Sequence, residues 1–338
     1  MTAQDLAAIA RAMVAPGKGI LAADESFPTI KKRFTAINVD STEDNRRLYR
    51  EMLFTAPGLS RHIGGVILFD ETLRQSSRAG VPFARLLADQ GVLPGIKVDA
   101  GAKPLAGFPG ETVTEGLDGL RDRLKEYASL GAKFAKWRAV IDISDAIPTP
   151  FGIEANAHAL ARYAALCQES GIVPIVEPEV LMDGGHTLER CEEVTALALD
   201  ATFRALRAHR VELTGMILKP NMVISGKKCP KRAGVREVAE ATVRCLRGHV
   251  PATVPGIAFL SGGQSSAEAT AHLSAMNEMG PHPWQLSFSY GRALQDEALK
   301  AWGGKDGQFK AGQTAFARRA ELNGLARAGQ YRAAMEAA

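Results

Sequence analysis

The sequence has no long apolar run, few cysteines and no strong charge of either sign, and each absence excludes a class of protein. No apolar stretch approaches the ~20 residues that a membrane-spanning helix needs. The four cysteines are scattered without a C-x-x-C pair, which predicts neither a disulfide framework nor a thiolate metal site. The first residues, MTAQDLAAIARAM, resemble a short amphipathic helix rather than a signal peptide, so we expect a cytoplasmic protein.

The charge balance excludes a second class of partner. A formal net charge of +4 is too small for a nucleic-acid surface, which needs a dense basic stripe, and it suits a small anionic substrate better. Apolar residues make up 46% of the chain and charged residues 23%, the balance of a globular protein with a large core. We therefore expect a small-molecule substrate and neither a nucleic-acid nor a membrane partner.

Eight apolar runs of strand length recur along the chain, at intervals that fit a helix and two loops. Helical patterns lie between them, such as Leu117, Leu120, Leu124 and Tyr127 at i, i+3, i+4 spacing. No G-x-G-x-x-G follows the first run, which disfavours an open doubly wound sheet. The pattern predicts an α/β protein, a (β/α)8 TIM barrel. The runs are residues 19–24, 65–70, 93–99, 134–141, 172–179, 214–220, 256–262 and 285–291.

No linker or low-complexity segment divides the chain. We expect residues 1–338 to form a single domain, with a short N-terminal helix and a C-terminal helical tail. The segment RAGQYRAAMEAA predicts that the last helix continues to the end of the sequence.

Charged residues stand at the carboxyl ends of the runs, where a barrel core would otherwise be apolar. Residues i and i+2 share a face of a strand, so Glu177 and Glu179 point the same way as Ile175, which we expect to face inward. One such pair is explained by an ion pair that closes a strand end, but eight charges at the catalytic face favour a site. They are Lys97, Lys136, Arg138 and Lys219 against Asp24, Asp99, Glu177 and Glu179.

Lysines without a metal or cofactor motif favour amine catalysis on a carbonyl group. An amine attacks only when neutral, and a neighbouring cation such as Lys136 favours the neutral form of Lys219. Iminium formation also needs a proton for the departing hydroxyl, which suits Glu177. The seven histidines lie away from the strand ends and form neither H-x-H nor H-x-x-x-H. We therefore expect no metal and no cofactor.

Two segments that contain glycine follow the seventh and eighth runs, the usual phosphate site of this fold. Backbone N–H groups approach phosphate oxygens closely at glycines, and an arginine can fork onto two of them. Simple glycine turns remain the alternative. The segments are Ser261-Gly262-Gly263 and Ser289-Tyr290-Gly291-Arg292.

From about residue 15 to about 331 the sequence resembles class I fructose-1,6-bisphosphate aldolase. The resemblance is carried by GKGILAADES, GVILFDETL, GIKVDAG, ETVTEGLDGL, FAKWRAV, IVPIVEPEV, LKPNMV, FLSGGQS and SFSYGRALQ. It implies a lyase of glycolysis that cleaves fructose 1,6-bisphosphate reversibly to dihydroxyacetone phosphate and glyceraldehyde 3-phosphate, and it implies a homotetramer.

Catalytic roles carry over by motif, as the resemblance implies them. Lys219, in LKPN, resembles the Schiff-base lysine, and Glu177, in EPE, the acid and base for carbinolamine dehydration. Asp24, in AADES, resembles the base for the C4 hydroxyl. Glu179 is expected to tune the site, and Lys136 to position substrate and stabilise charge.

The resemblance also implies two phosphate subsites, and Arg138 is expected to assist Lys136 beside them. Ser26, Arg33 and Lys97 are implied to hold the six-phosphate, with Arg46 as a weaker candidate. The one-phosphate is implied to contact Ser261, Gly262, Gly263, Ser289, Gly291 and Arg292.

The sequence departs from the family pattern in two places. Ser26 is followed by FPTI, so that Thr29 stands where a serine is common. The closing residues RAAMEAA contain no terminal tyrosine of the animal type, and we expect Tyr331 not to reach the barrel mouth and enamine protonation to limit turnover. Two alternatives remain open: an aldolase for another ketose, such as sedoheptulose 1,7-bisphosphate, and a scaffold or actin-binding protein that lost catalysis.

Overall fold

The computed structural model describes residues 2–337, in which eight parallel strands close into a barrel. The strands are β1 (Gly19–Ala23), β2 (Ile63–Leu68), β3 (Leu93–Lys97), β4 (Ala102–Pro104), β5 (Thr112–Thr114), β6 (Phe134–Ile141), β7 (Val173–Val180), β8 (Ile217–Leu218), β9 (Gly256–Phe259) and β10 (Gln285–Tyr290). Eight of these ten strands form the barrel, in the order β1-β10-β9-β8-β7-β6-β3-β2, and β4 and β5 form a separate antiparallel hairpin. The predicted (β/α)8 barrel is confirmed.

Helices surround the barrel and connect its strands. Nine of them are α1 (Ala3–Met13), α2 (Phe27–Thr35), α3 (Glu43–Phe54), α4 (Leu59–His62), α5 (Asp70–Leu73), α6 (Phe83–Asp89), α7 (Leu120–Ser129), α8 (Pro150–Glu169) and α9 (Leu188–Ala208). The others are α10 (Val235–His249), α11 (Ser266–Glu278), α12 (Arg292–Trp302) and α13 (Phe309–Arg327). No helix within residues 2–337 is long and apolar enough to cross a membrane.

The lower half of the barrel interior is apolar. Alternate residues of the strands point inward and pack together, including Ile20, Ile67, Ile175 and Ile217. The Phe134 ring fills the space beside β3, where a Cβ on Gly95 would lie 2.2 Å from a ring carbon. The barrel is therefore filled by side chains rather than open along its axis.

Helix α1 closes the amino-terminal end of the barrel. Thr2 caps the helix, since its hydroxyl accepts from Asp5 N and the Asp5 carboxylate accepts from Thr2 N. Its buried face, which includes Ala10 and Met13, packs against the inward-facing strand residues. The predicted N-terminal helix thus serves as the floor of the barrel.

The structure corrects the predicted boundaries of two helices. Helix α7 begins only at Leu120, because Gly119 adopts the left-handed conformation with φ +67, so Leu117 lies outside it. The predicted terminal helix over RAGQYRAAMEAA is wrong. Helix α13 ends at Arg327, Gly329 turns the chain with φ +67, and only a 3₁₀ segment, Ala333–Ala337, follows.

Candidate active site

Strand alternation brings the predicted charges together at the carboxyl end of the barrel. Lys136 and Lys97 are paired in register between β6 and β3, and Arg138 is opposite Glu177 on β7. Lys219 directly follows β8, and its backbone N–H donates to Val176 O at 2.8 Å. Each charge therefore continues the inward-facing row of its own strand, one layer above the apolar filling.

Lys136 is the centre of the charge cluster. Its Nζ lies 2.8 Å from Asp24 Oδ2, 3.4 Å from Glu177 Oε2 and 3.9 Å from Asp99 Oδ2. The side chain is 5% exposed. Three acids from three different strand ends thus share one buried ammonium.

Lys219 and Glu177 form the second buried pair. Lys219 Nζ lies 3.1 Å from Glu177 Oε1, and both side chains are almost fully buried. Glu177 Oε2 has no hydrogen-bond partner of good geometry among the described residues. Glu177 thus contacts an amine with one oxygen and keeps the other available, which is the arrangement that a proton relay needs.

The cluster shifts the pKa of two of its members strongly. Burial opposes the charged form of Asp24, but the ammonium groups of Lys136 and Lys219 outweigh it and hold the Asp24 pKa well below its usual range. Burial likewise opposes the charge of Lys136, while Asp24 and Glu177 raise its pKa well above the ordinary value. The carboxylate of Asp24 and the ammonium of Lys136 are therefore both fixed in their charged forms at neutral pH.

Two further ion pairs frame the cluster. Lys97 Nζ lies 3.5 Å from Asp99 Oδ1, which also accepts from Gly101 N at 3.2 Å. Arg138 donates to Glu179, whose side chain is 7% exposed, whereas that of Arg138 is 41% exposed. Lys97 and Arg138 thus carry cationic groups to the rim, within reach of an anionic ligand.

A cavity of about 230 Å³, here called the mouth cavity, opens above the cluster. Most of the residues predicted for the site line it, and the exceptions are Gly263, Asp99 and Arg46. The lining comprises Ala22, Asp24, Glu25, Ser26, Thr29, Arg33, Lys97, Lys136, Arg138, Glu177, Glu179, Lys219, Leu260, Ser261, Gly262, Ser289, Gly291 and Arg292. The structure therefore brings residues from the ends of seven barrel strands to one concave surface.

The two predicted phosphate segments lie side by side on one wall of the mouth cavity. Arg292 Nη2 donates to Gly262 O at 2.6 Å, which ties the loop after β10 to the loop after β9. Ser289 is 1% exposed and its hydroxyl has no hydrogen-bond partner among residues 2–337. A buried hydroxyl without a partner costs free energy unless a ligand satisfies it, which indicates an acceptor bound at this wall.

Gly263 is oriented away from the cavity. Its N–H lies 3.2 Å from the Met182 sulfur, and a Cβ at this position would lie 2.0 Å from Lys227 Cε. Lys227 itself pairs with Asp183 at 2.6 Å. Gly263 thus provides close packing of the loop, and the structure does not place its N–H in the cavity lining.

The first turn of α2 forms a further part of the cavity wall. Ser26 and Thr29 face each other, with their hydroxyl oxygens 3.2 Å apart. Arg33, from the next turn, pairs with Glu25, and a Cβ on Gly291 would lie 3.5 Å from its Nη2. Arg33 therefore lies beside the loop after β10 as well as beside Ser26.

Sequence reasoning missed a buried network behind Asp24. Glu25 accepts from Arg33, from Arg50 and, at 3.0 Å, from Gln295 Nε2. Burial opposes its charge, but the two arginines outweigh burial and lower its pKa. Gln295 also donates to Ala22 O at 2.7 Å. Glu25 falls on the outer face by alternation, and its adjacency to Asp24 in AADES was the only signal that could have found it.

Tyr331 lies at the far end of the barrel. Its carbonyl accepts from Ser274 of α11 at 3.5 Å, and its hydroxyl donates to Glu336 at 2.7 Å. The nearby Arg327 donates to the carbonyls of Val14 and Lys18, which lie at the amino-terminal end of β1. The structure therefore places this phenol opposite the mouth cavity.

The described residues contain no group of three or more His, Cys, Asp or Glu side chains with the geometry to hold a metal ion. The acids of the mouth cavity are each engaged by a lysine or arginine instead. The donor set is thus that of an amine and carboxylate site.

Comparison with known proteins identifies the family of the chain. The sequence model of a family described as "Fructose-bisphosphate aldolase class-I" matches residues 5–338. The chain is 60% identical over 334 residues to a probable fructose-bisphosphate aldolase class 1 of Xanthomonas campestris pv. campestris, covering 98% of this chain and 100% of that protein. It is 54% identical over 328 residues to fructose-bisphosphate aldolase B of Gallus gallus, with 96% and 90% covered.

A solved structure shows the same fold. It is that of fructose-bisphosphate aldolase from Plasmodium falciparum, in complex with TRAP and a small-molecule inhibitor. The two chains superpose with a TM-score of 0.96 at 49% sequence identity, covering 98% of this chain and 96% of the other.

Proposed function

The chain belongs to the class I fructose-bisphosphate aldolase family, and from this premise we propose that Lys219 forms the Schiff base in the mouth cavity. The protein catalyses the reversible cleavage of fructose 1,6-bisphosphate to dihydroxyacetone phosphate and glyceraldehyde 3-phosphate, in glycolysis. The observation that carries the assignment of Lys219 is its Nζ 3.1 Å from Glu177 Oε1, buried below the cavity.

In the first step, Glu177 takes a proton from the Lys219 ammonium and frees the amine lone pair. The amine attacks C2 of the ketose, and a N–C bond forms as the C=O π pair becomes an alkoxide. Proton transfer gives the carbinolamine, and Glu177 then protonates its hydroxyl so that water leaves and the iminium forms. The proton that Glu177 takes from Lys219, across 3.1 Å, is the one that it later gives to the hydroxyl.

In the second step, the carboxylate of Asp24 accepts the proton of the C4 hydroxyl. The O–H electrons form the aldehyde C=O, the C3–C4 bond breaks, and its electron pair moves into the iminium to give an enamine. Lys136, 2.8 Å from Asp24, keeps that carboxylate ionised and ready as a base. Protonation of the enamine carbon and hydrolysis of the iminium then release dihydroxyacetone phosphate and restore Lys219.

The two phosphates are held by two groups of residues that line the mouth cavity. Arg292, Ser261 and Ser289 follow β9 and β10, with the backbone of Gly262 and Gly291, and these residues suit the one-phosphate. Ser26, Arg33, Lys97 and Arg138 suit the six-phosphate, and Glu179 holds Arg138 at the rim. Anchoring both ends fixes the C3–C4 bond over the cluster.

We also propose that the protein works in the cytoplasm as a homotetramer and that residues 1–338 form one domain. The family membership supports these proposals. Light scattering with size-exclusion chromatography measures the assembly, where a monomer would contradict it. A single cooperative unfolding transition is expected for one domain.

Borohydride trapping tests the assignment of Lys219. Reduction in the presence of dihydroxyacetone phosphate, with EDTA throughout, should inactivate the enzyme and place the label on the peptide that contains Lys219. Lys97→Met serves as the matched control, because it removes a cavity lysine and should still be labelled. A label on Lys97 or Lys136 alone, or activity that disappears in EDTA and returns with zinc, would contradict the proposal.

A further inference from the structure

An exposed aromatic ring lies at the rim of the mouth cavity. Phe27 is the first residue of α2 and is 48% exposed, which is unusual for a large apolar side chain. It stands between Ser26 and Thr29 in sequence, and both of these line the cavity. The ring of Phe27 itself is not among the residues that line the cavity.

The exposed ring is held by two neighbours from other elements. It packs edge to face on Phe69, with centroids 5.2 Å apart and an interplanar angle of 83°. Arg46 of α3 lies over its face, with Cζ 4.8 Å from the ring centroid. Phe69 directly follows β2, so these contacts join the loop after β1 to the loop after β2.

The arginine in this stack is itself fixed. Arg46 Nε donates to Glu71 Oε1 at 2.7 Å and Nη2 donates to Glu71 Oε2 at 2.5 Å, in a bidentate pair. Both side chains are mostly buried, at 15% and 16% exposed. The guanidinium plane therefore forms a rigid surface against which Phe27 rests.

Ile30 and Phe34 bury the inner face of α2 in the core, and Ile30 N donates to Ser26 O at 2.9 Å. The polar side chains at the start of the helix add less. Ser26 makes no side-chain cap to the helix, and Pro28 has no N–H to donate. The Ser26 and Thr29 hydroxyls bond to each other at 3.2 Å, which leaves both free to turn toward an acceptor. The side chain of Phe27, which stands between them, is therefore an additional anchor for the start of the helix.

We propose that Phe27, Phe69 and Arg46 form a clasp that positions the first turn of α2 against the phosphate far from the reacting carbonyl. The clasp sets the preference for bisphosphorylated over monophosphorylated ketoses. Phe27 is a positioning residue, because it touches neither Lys219 nor the reacting atoms. The inference rests on the proposed function, in which this turn faces the six-phosphate.

Kinetics on two substrates test the clasp. Phe27→Ala is expected to raise KM for fructose 1,6-bisphosphate about five- to tenfold, the scale of one aromatic and one cation–π contact. Its kcat and its KM for fructose 1-phosphate should stay within about twofold, since alanine suits a helix start and the chemistry is untouched. Phe27→Tyr should restore KM, and Phe27→Leu should not, because leucine keeps apolar area without a π face.

The chain offers a closely matched control. Phe151 is 53% exposed, lies in the first turn of α8 after a proline, and stacks on Phe108 at 4.6 Å, but it does not line the mouth cavity. Phe151→Ala should leave both KM values unchanged. Amide exchange of residues 27–35 in the free enzyme should be faster in Phe27→Ala only.

Failure of the clasp is distinguishable from failure of the proposed function. If the parent enzyme is labelled at another lysine, the proposed site is wrong, and exchange at residues 27–35 still reports whether Phe27 holds α2. The clasp has no role in specificity if the folded Phe27→Ala variant keeps the parent KM for the bisphosphate. The same follows if its KM rises equally for fructose 1,6-bisphosphate and fructose 1-phosphate. A double-mutant cycle of Arg46→Gln and Phe27→Ala gives a further test. Strictly additive effects on KM would show that the two side chains are not coupled and would also overturn the clasp.

Discussion

The two ends of the barrel are built from the same eight strands but are filled by opposite chemistry. At the carboxyl ends, Lys136 and Lys219 are buried among acids within 4 Å. At the amino ends, α1 fills the barrel with apolar side chains such as Met13. A buried ion cluster stabilises a fold less than well-packed apolar residues of the same volume. The apolar floor therefore contributes more to stability than the charges at the mouth do.

Arg327, which is buried near the floor, gives a contrast to the charge cluster at the mouth. Arg327 donates to Val14 O, Lys18 O and Gln285 Oε1. Burial lowers its pKa to about 10, whereas acids raise the pKa of Lys136 at the mouth. Carbonyl groups satisfy the hydrogen bonds of a cation, but full charges are needed to offset its desolvation.

Replacing Lys219 by methionine should give the largest effect, confined to the mouth. Cleavage should fall by about 10⁵-fold or more, because the variant lacks the oriented nucleophile. The fold should persist, since Glu177 keeps Lys136 at 3.4 Å. Steady-state cleavage and circular dichroism measure the two outcomes. A folded variant that still turns over within about a hundredfold of the parent would assign the Schiff base elsewhere.

Met13→Ala should give the reverse result at the floor. The side chain is fully buried against the barrel interior, so its loss should cost about 2–5 kcal/mol of unfolding free energy. The distance of α1 from the mouth should leave kcat/KM unchanged. Urea unfolding with parallel assays checks this, and an equal fall in kcat/KM under native conditions would show that the two ends are coupled.

The pH dependence of stability should distinguish the two ends next. Asp24 has a depressed pKa in the folded state, so its contribution is full above the unfolded value of 3.8 and is lost as pH falls through the folded value. Lys136→Met removes the nearest cation and should raise the Asp24 pKa. Because the decline runs from the unfolded pKa down to the folded pKa, the Tm of the variant should fall less than that of the parent between about pH 4 and about pH 2.

Calorimetry from pH 8 down to about pH 2, well below the unfolded pKa of 3.8, measures this difference. Lys125→Met is the matched control, because that lysine pairs with Asp122 at the surface, where both side chains are more than half exposed. Its profile should match that of the parent. Superimposable profiles for the Lys136 variant and the parent would show that Asp24 is not held by this ammonium.

Ser289→Ala should give the smallest effect, with a gain in stability and a loss of substrate affinity. The buried hydroxyl has no partner among the described residues, so removing it should stabilise the free enzyme by about 1 kcal/mol. Loss of a phosphate contact should raise KM by about five- to tenfold. Thermal unfolding with and without substrate separates the effects. A destabilised variant with unchanged KM would make Ser289 purely structural.

The sequence predicted the barrel because covered parallel strands need nearly continuous apolar runs, and these were visible. Strand ends were less certain. The run 214–220 contains only the two-residue strand β8, because Pro220 cannot donate to a ladder and Lys219 turns into the mouth. The hairpin of β4 and β5 was missed, since its three-residue strands carry too short a pattern to recognise.

The site was predictable where charge broke an apolar pattern, as at Lys136 and Glu177. Glu25 and Arg50 carry no such signal, because charged residues on the outer face of a strand end or on a helix are ordinary. Their partnership joins residues 25 apart through tertiary packing. Likewise, Phe27 is one apolar residue in a polar segment, and only the positions of Phe69 and Arg46 give it a role.

The shared ammonium of Lys136 also constrains how this enzyme can evolve. Because acids from β1, β3 and β7 all rely on it, changing one member leaves the others with an uncompensated charge. A tolerated substitution in the cluster must then be accompanied by a second one that restores the charge balance, and such pairs arise rarely. The apolar floor accepts single exchanges of similar volume. Drift should accumulate in α1, and new substrate preferences should arise at the rim rather than in the cluster.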